Sequence, residues 1–220
     1  MLLDVYKITT FLIPITAFGV GFYSLYLNPK SKLVWLWFLT SIFVGIWGVG
    51  LSGLLMAKDA GQAMFWDRVL YLGVSFIPAL YLHFLLTFLR QNRKLIAFVV
   101  VPSYVISTFF AVLALTSNIF IADAIPLTGF DYWVKGGPLY AWFVVYFYIL
   151  VVISFAFLLR NYFKSDGIIK KQIGYIILAS LIGFVAGGTC FLPQLFGIYP
   201  FGNFITFIYP LLITYGIFLK

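Results

Sequence analysis

Residues Phe65–Arg90 read FWDRVLYLGVSFIPALYLHFLLTFLR. From Val69 to Leu89 there is no Asp, Glu, Lys or Arg. Charge returns only at the edges, as Asp67 and Arg68 on one side and Arg90 on the other. A helix needs about 20 mostly apolar residues to cross the hydrocarbon of a bilayer. A surface helix of a soluble protein keeps a charged face, and this run has none. The stretch therefore reads as a membrane span. Trp66 stands at its interface, where an indole keeps one edge dry and one wet.

Working outward, the same signal recurs. Apolar runs cover Ile8–Leu27, Leu33–Met56, Leu95–Leu115, Leu139–Leu159, Ile173–Leu192 and a shorter Phe204–Leu219. The last run can begin within the Pro/Gly stretch that precedes it. The composition agrees: 64% of the 220 residues are hydrophobic, 21% are aromatic and 9% are charged. A soluble domain is about half apolar and a quarter charged. All six acidic residues are Asp. Asp4 and Lys7 precede the first run, which continues past signal-peptide length without a small-residue cleavage site. It is read as the first membrane helix, not as a leader. The chain, 1–220, is read as a single domain: an all-α seven-transmembrane helix bundle.

Charge placement orients the bundle. Lys30 and Lys32 follow the first span. Arg90, Arg93 and Lys94 follow the third. Arg160, Lys164, Lys170 and Lys171 follow the fifth, against Asp166, and Lys220 follows the seventh. These loops alternate, so they share one side. The other side carries sparse, mixed charge: Asp4, Lys7, Lys58, Asp59, Asp67, Arg68, Asp123, Asp131 and Lys135. The positive-inside rule then places the N-terminus outside and the C-terminus in the cytoplasm. This explains the net charge of +8 without nucleic acid as a partner. On the outside, Ile119–Ile125 and Phe130–Lys135 flank Pro126 and Gly129, which predicts a small extracellular β-hairpin between helices four and five. Pro193–Asn203 predicts an irregular turn.

The chain offers little for catalysis. Cys190 is the single cysteine, so an internal disulfide and a Cys-based metal cluster are excluded, and it reads as a small buried residue. There is one histidine, and no Ser-His-Asp set, HExxH or phosphate loop. We expect no cofactor, no metal and no enzymatic activity from this chain itself.

Four features invite a functional reading. The first is Trp66-Asp67-Arg68, with Tyr71 one turn on. It reads either as an interfacial Trp beside an ion pair or as a polar rim that meets a ligand. Arg68, Ser75, Ala79 and His83 fall within an arc of about 80° at ~100° per residue, a polar stripe toward the bundle interior. The second is His83 itself, ~21 Å along the helix. It reads as a core histidine bonded to a neighbouring helix or as a switch. Pro78 between them withholds a backbone N–H and is a candidate hinge. The third is small-residue spacing: Ala179, Gly183 and Gly187, and Ser41, Gly45, Gly48 and Ser52. Such faces allow close helix approach, within the chain or across a homodimer seam. The fourth is Tyr199-Pro200-Phe201-Gly202-Asn203 with Tyr209-Pro210. Asn203 reads as a cap of the last helix or, with Gln194, as part of an outer pocket. Pro210 is a second candidate hinge.

Phe65–Arg90 and the closing YPFGNFITFIYPLLITYGIFLK (Tyr199–Lys220) resemble the N-terminal seven-transmembrane sensor region of bacterial histidine kinases. The order of elements agrees along essentially the whole chain. The resemblance implies a multi-pass sensor in a bacterial cytoplasmic membrane. Its seventh helix would lead to a cytoplasmic output module, commonly a dimeric histidine kinase, in cis or in a partner. It names no ligand. The expected partners are the lipid bilayer, a small-molecule or lipid signal, and that output module. A small-solute transporter would use internal repeats and broken helices. Some seven-helix transporters have two Pro-Gln pairs; this chain has one, Pro193-Gln194, and no repeat is visible between its halves. A structural membrane subunit would share the composition and topology. A retinal protein would need a lysine inside the last helix, and that helix has none.

Overall fold

The computed structural model describes residues 2–127 and 130–219. Gly129, expected in the hairpin turn, and Lys220, expected at the basic end, lie outside the described residues. Seven helices and one hairpin make up the described residues. They are α1 (Leu2–Leu27), α2 (Lys32–Leu54), α3 (Ala60–Phe88), α4 (Arg93–Thr116), β1 (Ile121–Leu127), β2 (Phe130–Gly136), α5 (Tyr140–Lys164), α6 (Gly167–Phe196) and α7 (Asn203–Phe218). The first six helices are long and apolar enough to cross a membrane, and α7 is a shorter apolar helix.

Helices start where polar side chains bind their free N–H groups. Ser31 accepts from Val34 N at 3.4 Å, and Asn92 from Lys94 N at 2.9 Å. Asp59 accepts from Gln62 N and from Gln62 Nε2, both at 2.8 Å. This cap moves the start of α3 to Ala60, nine residues ahead of the expected Val69. Trp66, Asp67 and Arg68 therefore sit inside the helix, not before it. The hairpin exists as expected but begins at Ile121. Its strands are antiparallel, with Ala124 opposite Val134 and Ile125 opposite Trp133.

Close approach needs small residues. A Cβ on Gly73 would lie 2.4 Å from Trp47 N, and one on Gly50 would lie 2.3 Å from Leu70 N. The α2 and α3 backbones thus nearly touch. On α2, Gly45 faces Phe18 and Gly48 faces Pro14. On α6, Gly183 faces the Tyr209 ring and Gly187 faces Thr206. Both small-residue faces are thus covered within the chain. Side chains left outside are apolar, such as Phe98 at 80% exposed on α4 and Trp142 at 66% on α5. That is the inversion expected of a surface that meets lipid.

The sixth span, expected over Ile173–Leu192, is not a regular α-helix throughout. After Ser180 the helix widens into a π stretch, Leu181–Ala186, then tightens into a 3₁₀ stretch, Gly187–Phe191. One α turn follows, Leu192–Phe196, and Gly197 at φ 68 ends it. Gly183, Gly187 and Gly188 lower the helix's resistance to such a change of pitch. A cavity of about 30 Å³ lies beside it, between Trp47, Gly183, Gly187 and Tyr209. The last helix also starts as 3₁₀, over Asn203–Ile208.

Candidate functional site

The candidate residues lie at both ends of α3, at the end of α6 and at the start of α7. The hairpin end brings most of the first group together. Asp67 is fully buried, and neither carboxylate oxygen has a hydrogen-bond partner. The ion pair expected with Arg68 does not form, and Arg68 Nε is itself buried and unpartnered. Consecutive helix positions point about 100° apart, so neighbours in sequence do not face each other.

One turn on, Tyr71 is buried with its hydroxyl 2.8 Å from that of Tyr140, the first residue of α5. Its ring stands edge-on to Phe120 and Phe143. Gln194, on the last turn of α6, closes the group. Oriented to satisfy both ends, its amide donates to Cys190 O at 2.7 Å and accepts from Trp133 Nε1 at 3.1 Å. The hairpin is therefore pinned onto the helix ends as a lid.

Asn203 does not cap α7. Gly202 holds the cap position with no side-chain bond, and Asn203 is the first residue inside. Its amide reaches across to α1 instead, 3.4 Å from both Tyr6 Oη and Thr10 Oγ1. Its Oδ1 is buried without a partner. Tyr6 packs edge-on against Phe130, and Phe130 lies 4.6 Å from Trp133. Asn203 and Gln194 thus approach the lid from two sides. Trp66 stands apart, half-buried, with its ring against Gly53 of α2.

The switch candidates run down α3 and into α7. Ser75 is buried and bonds back to Tyr71 O at 2.6 Å. Pro78 lies within a continuous helix, with no N–H for the carbonyl one turn earlier. His83 Nδ1 lies 3.1 Å from Tyr104 Oη on α4, as expected of a histidine bonded to its neighbour. Pro210 is buried at the join of the 3₁₀ and α parts of α7. Cys190 is free and buried, as read. Tyr140, Trp133, Tyr6 and Thr10 were not expected at the site. They carry no motif and reach it only because the hairpin folds back and α1 passes under it.

A second opening lies beside the lid. A cleft of about 770 Å³ runs between α1, the α2–α3 loop and β2, with Lys7, Met56, Lys58, Asp131 and Tyr132 on its walls.

A bundle of seven helices, capped by a hairpin over unpaired polar groups, defines a polytopic membrane domain with a closed polar end. The chain belongs to the family described as the N-terminal 7TM region of histidine kinase, whose model matches residues 9–219. It is a membrane protein of the sensor-region type found at histidine kinase N-termini, a membrane domain linked in that family to a kinase output module. No curated protein and no solved structure matches it.

Proposed function

We propose that the chain is the receiving half of a signalling protein, oriented with its N-terminus outside and its C-terminus in the cytoplasm. The lidded end meets a small amphiphilic signal from outside or from the membrane. Helix α7 passes the change to a cytoplasmic output module such as a histidine kinase. The observation that carries this reading is Asp67, wholly buried and without a donor beneath the lid. Ionisable residues inside a membrane domain are costly and are kept for function. Arg68 Nε and Asn203 Oδ1 are unpartnered at the same end, and an open cleft lies beside the lid.

Helix α7 is attached at both ends. Near its start, Asn203 meets α1 and Gly202 N donates to Thr189 Oγ1 of α6 at 3.0 Å. Further on, Thr214 accepts from Trp37 Nε1 at 2.9 Å, and Leu219 O accepts from Gln172 Nε2 at 2.8 Å. A signal that binds one arrangement of the lid better than another shifts the start of α7 and with it the far end.

Two experiments test this. The chain in nanodiscs is titrated with a solvent extract of source-cell culture supernatant while tryptophan fluorescence is read. A change in the wild type, lost in Arg68→Ala with helical content intact, is the expected result. An Arg68→Ala protein that responds in full sinks the site. Orientation is read with single cysteines in a Cys190→Ser background. In intact cells an impermeant maleimide labels Asn118→Cys and spares Asp166→Cys; the reverse pattern overturns the topology.

A further inference from the structure

We propose that the basic end carries a binding site for the phosphate of an anionic membrane lipid, between α3, α5, α6 and α7. A cleft of about 500 Å³ opens there, lined by Leu33, Thr87, Arg90, Asn161, Gln172 and Ile217 among others.

Arg90 is the observation that points to a ligand. It follows the end of α3 at φ 52, the one non-glycine residue with positive φ among the described residues. Glycine or asparagine is usual at such a position, because a Cβ there is crowded. The left-handed turn closes the helix and carries the exposed Arg90 side chain onto the wall of the cleft. The backbone around it is satisfied: Arg90 N donates to Thr87 O at 3.1 Å and Gln91 N to Leu86 O at 2.9 Å. The exposed guanidinium has no ion pair or hydrogen bond among the described residues.

The other groups in the cleft follow the same division. Helix C-termini present carbonyls, which repel an anion. At the end of α7 Leu219 O is already covered by Gln172 Nε2 at 2.8 Å, and Asn161 Nδ2 donates back to Phe157 O of its own helix at 2.8 Å. Thr87 Oγ1 is buried with no partner. What remains free is a guanidinium, a hydroxyl and the second hydrogen of each amide. Those donors suit a phosphate. Asp166 is the one acidic residue at this end among the described residues, and it is exposed beyond Ser165. Leu33, Ile169 and Ile217 give the cleft an apolar wall, which favours a lipid over free phosphate. Basic pockets between membrane helices are suited to such headgroups. The site touches the end of α7 through Gln172, so lipid bound there would bear on the helix that carries the output.

The test uses the whole chain in nanodiscs of phosphatidylcholine, with and without phosphatidylglycerol, and inorganic phosphate as a third arm. Native mass spectrometry reads retained lipid, and a thermal melt reads stability. Phosphatidylglycerol is expected to be retained and to raise the melting temperature, with no effect of inorganic phosphate. Arg90→Gly relieves the backbone, so in phosphatidylcholine it melts as high as the wild type or higher. Yet it should retain phosphatidylglycerol about fivefold less. Thr87→Val should weaken retention in the same direction. Lys94→Gln, a basic residue of the same end outside the cleft, should retain it fully. Full retention by Arg90→Gly, equal loss in Lys94→Gln, or an equal shift with inorganic phosphate would each overturn the proposal.

Discussion

An ionised carboxylate that loses its water and finds no donor is destabilising by several kcal/mol unless it becomes neutral. Asp67 is in that position, with both oxygens unpartnered in a fully buried site. Replacing it by Asn keeps the outline of the side chain and removes a group that must there either carry a charge or hold a proton. We expect Asp67→Asn to gain about 1–3 kcal/mol of stability near neutral pH, read as a higher melting temperature in detergent. We also expect the fluorescence response to the extract to vanish. A residue that weakens the fold and is needed for response is the usual trade between stability and activity. A destabilised Asp67→Asn protein would mean that the carboxyl has a donor in the membrane. His83 is the contrasting case. It has its partner in Tyr104, so Tyr104→Phe should lower the melting temperature modestly, by about 1 kcal/mol. The same substitution should leave the response in place, which the same titration checks.

At the scale of elements, close packing decides what each glycine tolerates. Gly73→Ala would put a Cβ 2.4 Å from Trp47 N and 2.8 Å from Phe43 O. Backbone cannot yield as a side chain can, so α2 and α3 must separate. The expected loss is about 1–3 kcal/mol, measured by thermal melt. Gly19→Ala meets nothing within 4 Å and should be neutral or stabilising. Hydropathy made the helices legible, because a membrane span must be long and apolar, and Pro126 and Gly129 between two short runs marked the hairpin. It misplaced the start of α3, because an apolar window ends at the first charge. The Asp59 cap carries the helix further, and the lid buries the charge that follows. The Asn203 cap failed for a related reason. Capping residues are read from local spacing, whereas this amide is used across the bundle by Tyr6 and Thr10. The π and 3₁₀ stretches of α6 had only their glycines as a signal, and the same glycines suit an ordinary tight helix contact. Gln194, Asp67 and Tyr71 were legible as polar residues out of place. Their partners Tyr140 and Trp133 were not, because nothing local marks where a hairpin folds back.

At the scale of the molecule, the helices differ in how they can move. Helices α2 and α3 pack backbone to backbone at Gly50 and Gly73, and α1 locks onto α2 at Gly45 and Gly48. Helices α6 and α7 contain the irregular stretches, Leu181–Ala186, Gly187–Phe191 and Asn203–Ile208, around a small cavity. A π turn and a 3₁₀ turn depart from the α pitch in opposite senses. Such a stretch can change register with less loss than a regular helix, because fewer well-formed bonds break. A bundle built as one stiff group and one pliant pair directs any change at the lid into α6 and α7. Amide hydrogen exchange in nanodiscs should show this directly. Peptides from 181–208 should exchange first among the membrane-embedded segments, and those from α3 last. Extract that engages the lid should slow 181–208 and leave α3 unchanged. Uniform protection across the seven helices, or α3 exchanging as fast as α6, would mean that the pitch change is static. The route from the lid to the end of α7 would then have to run through rigid movement of α7 alone.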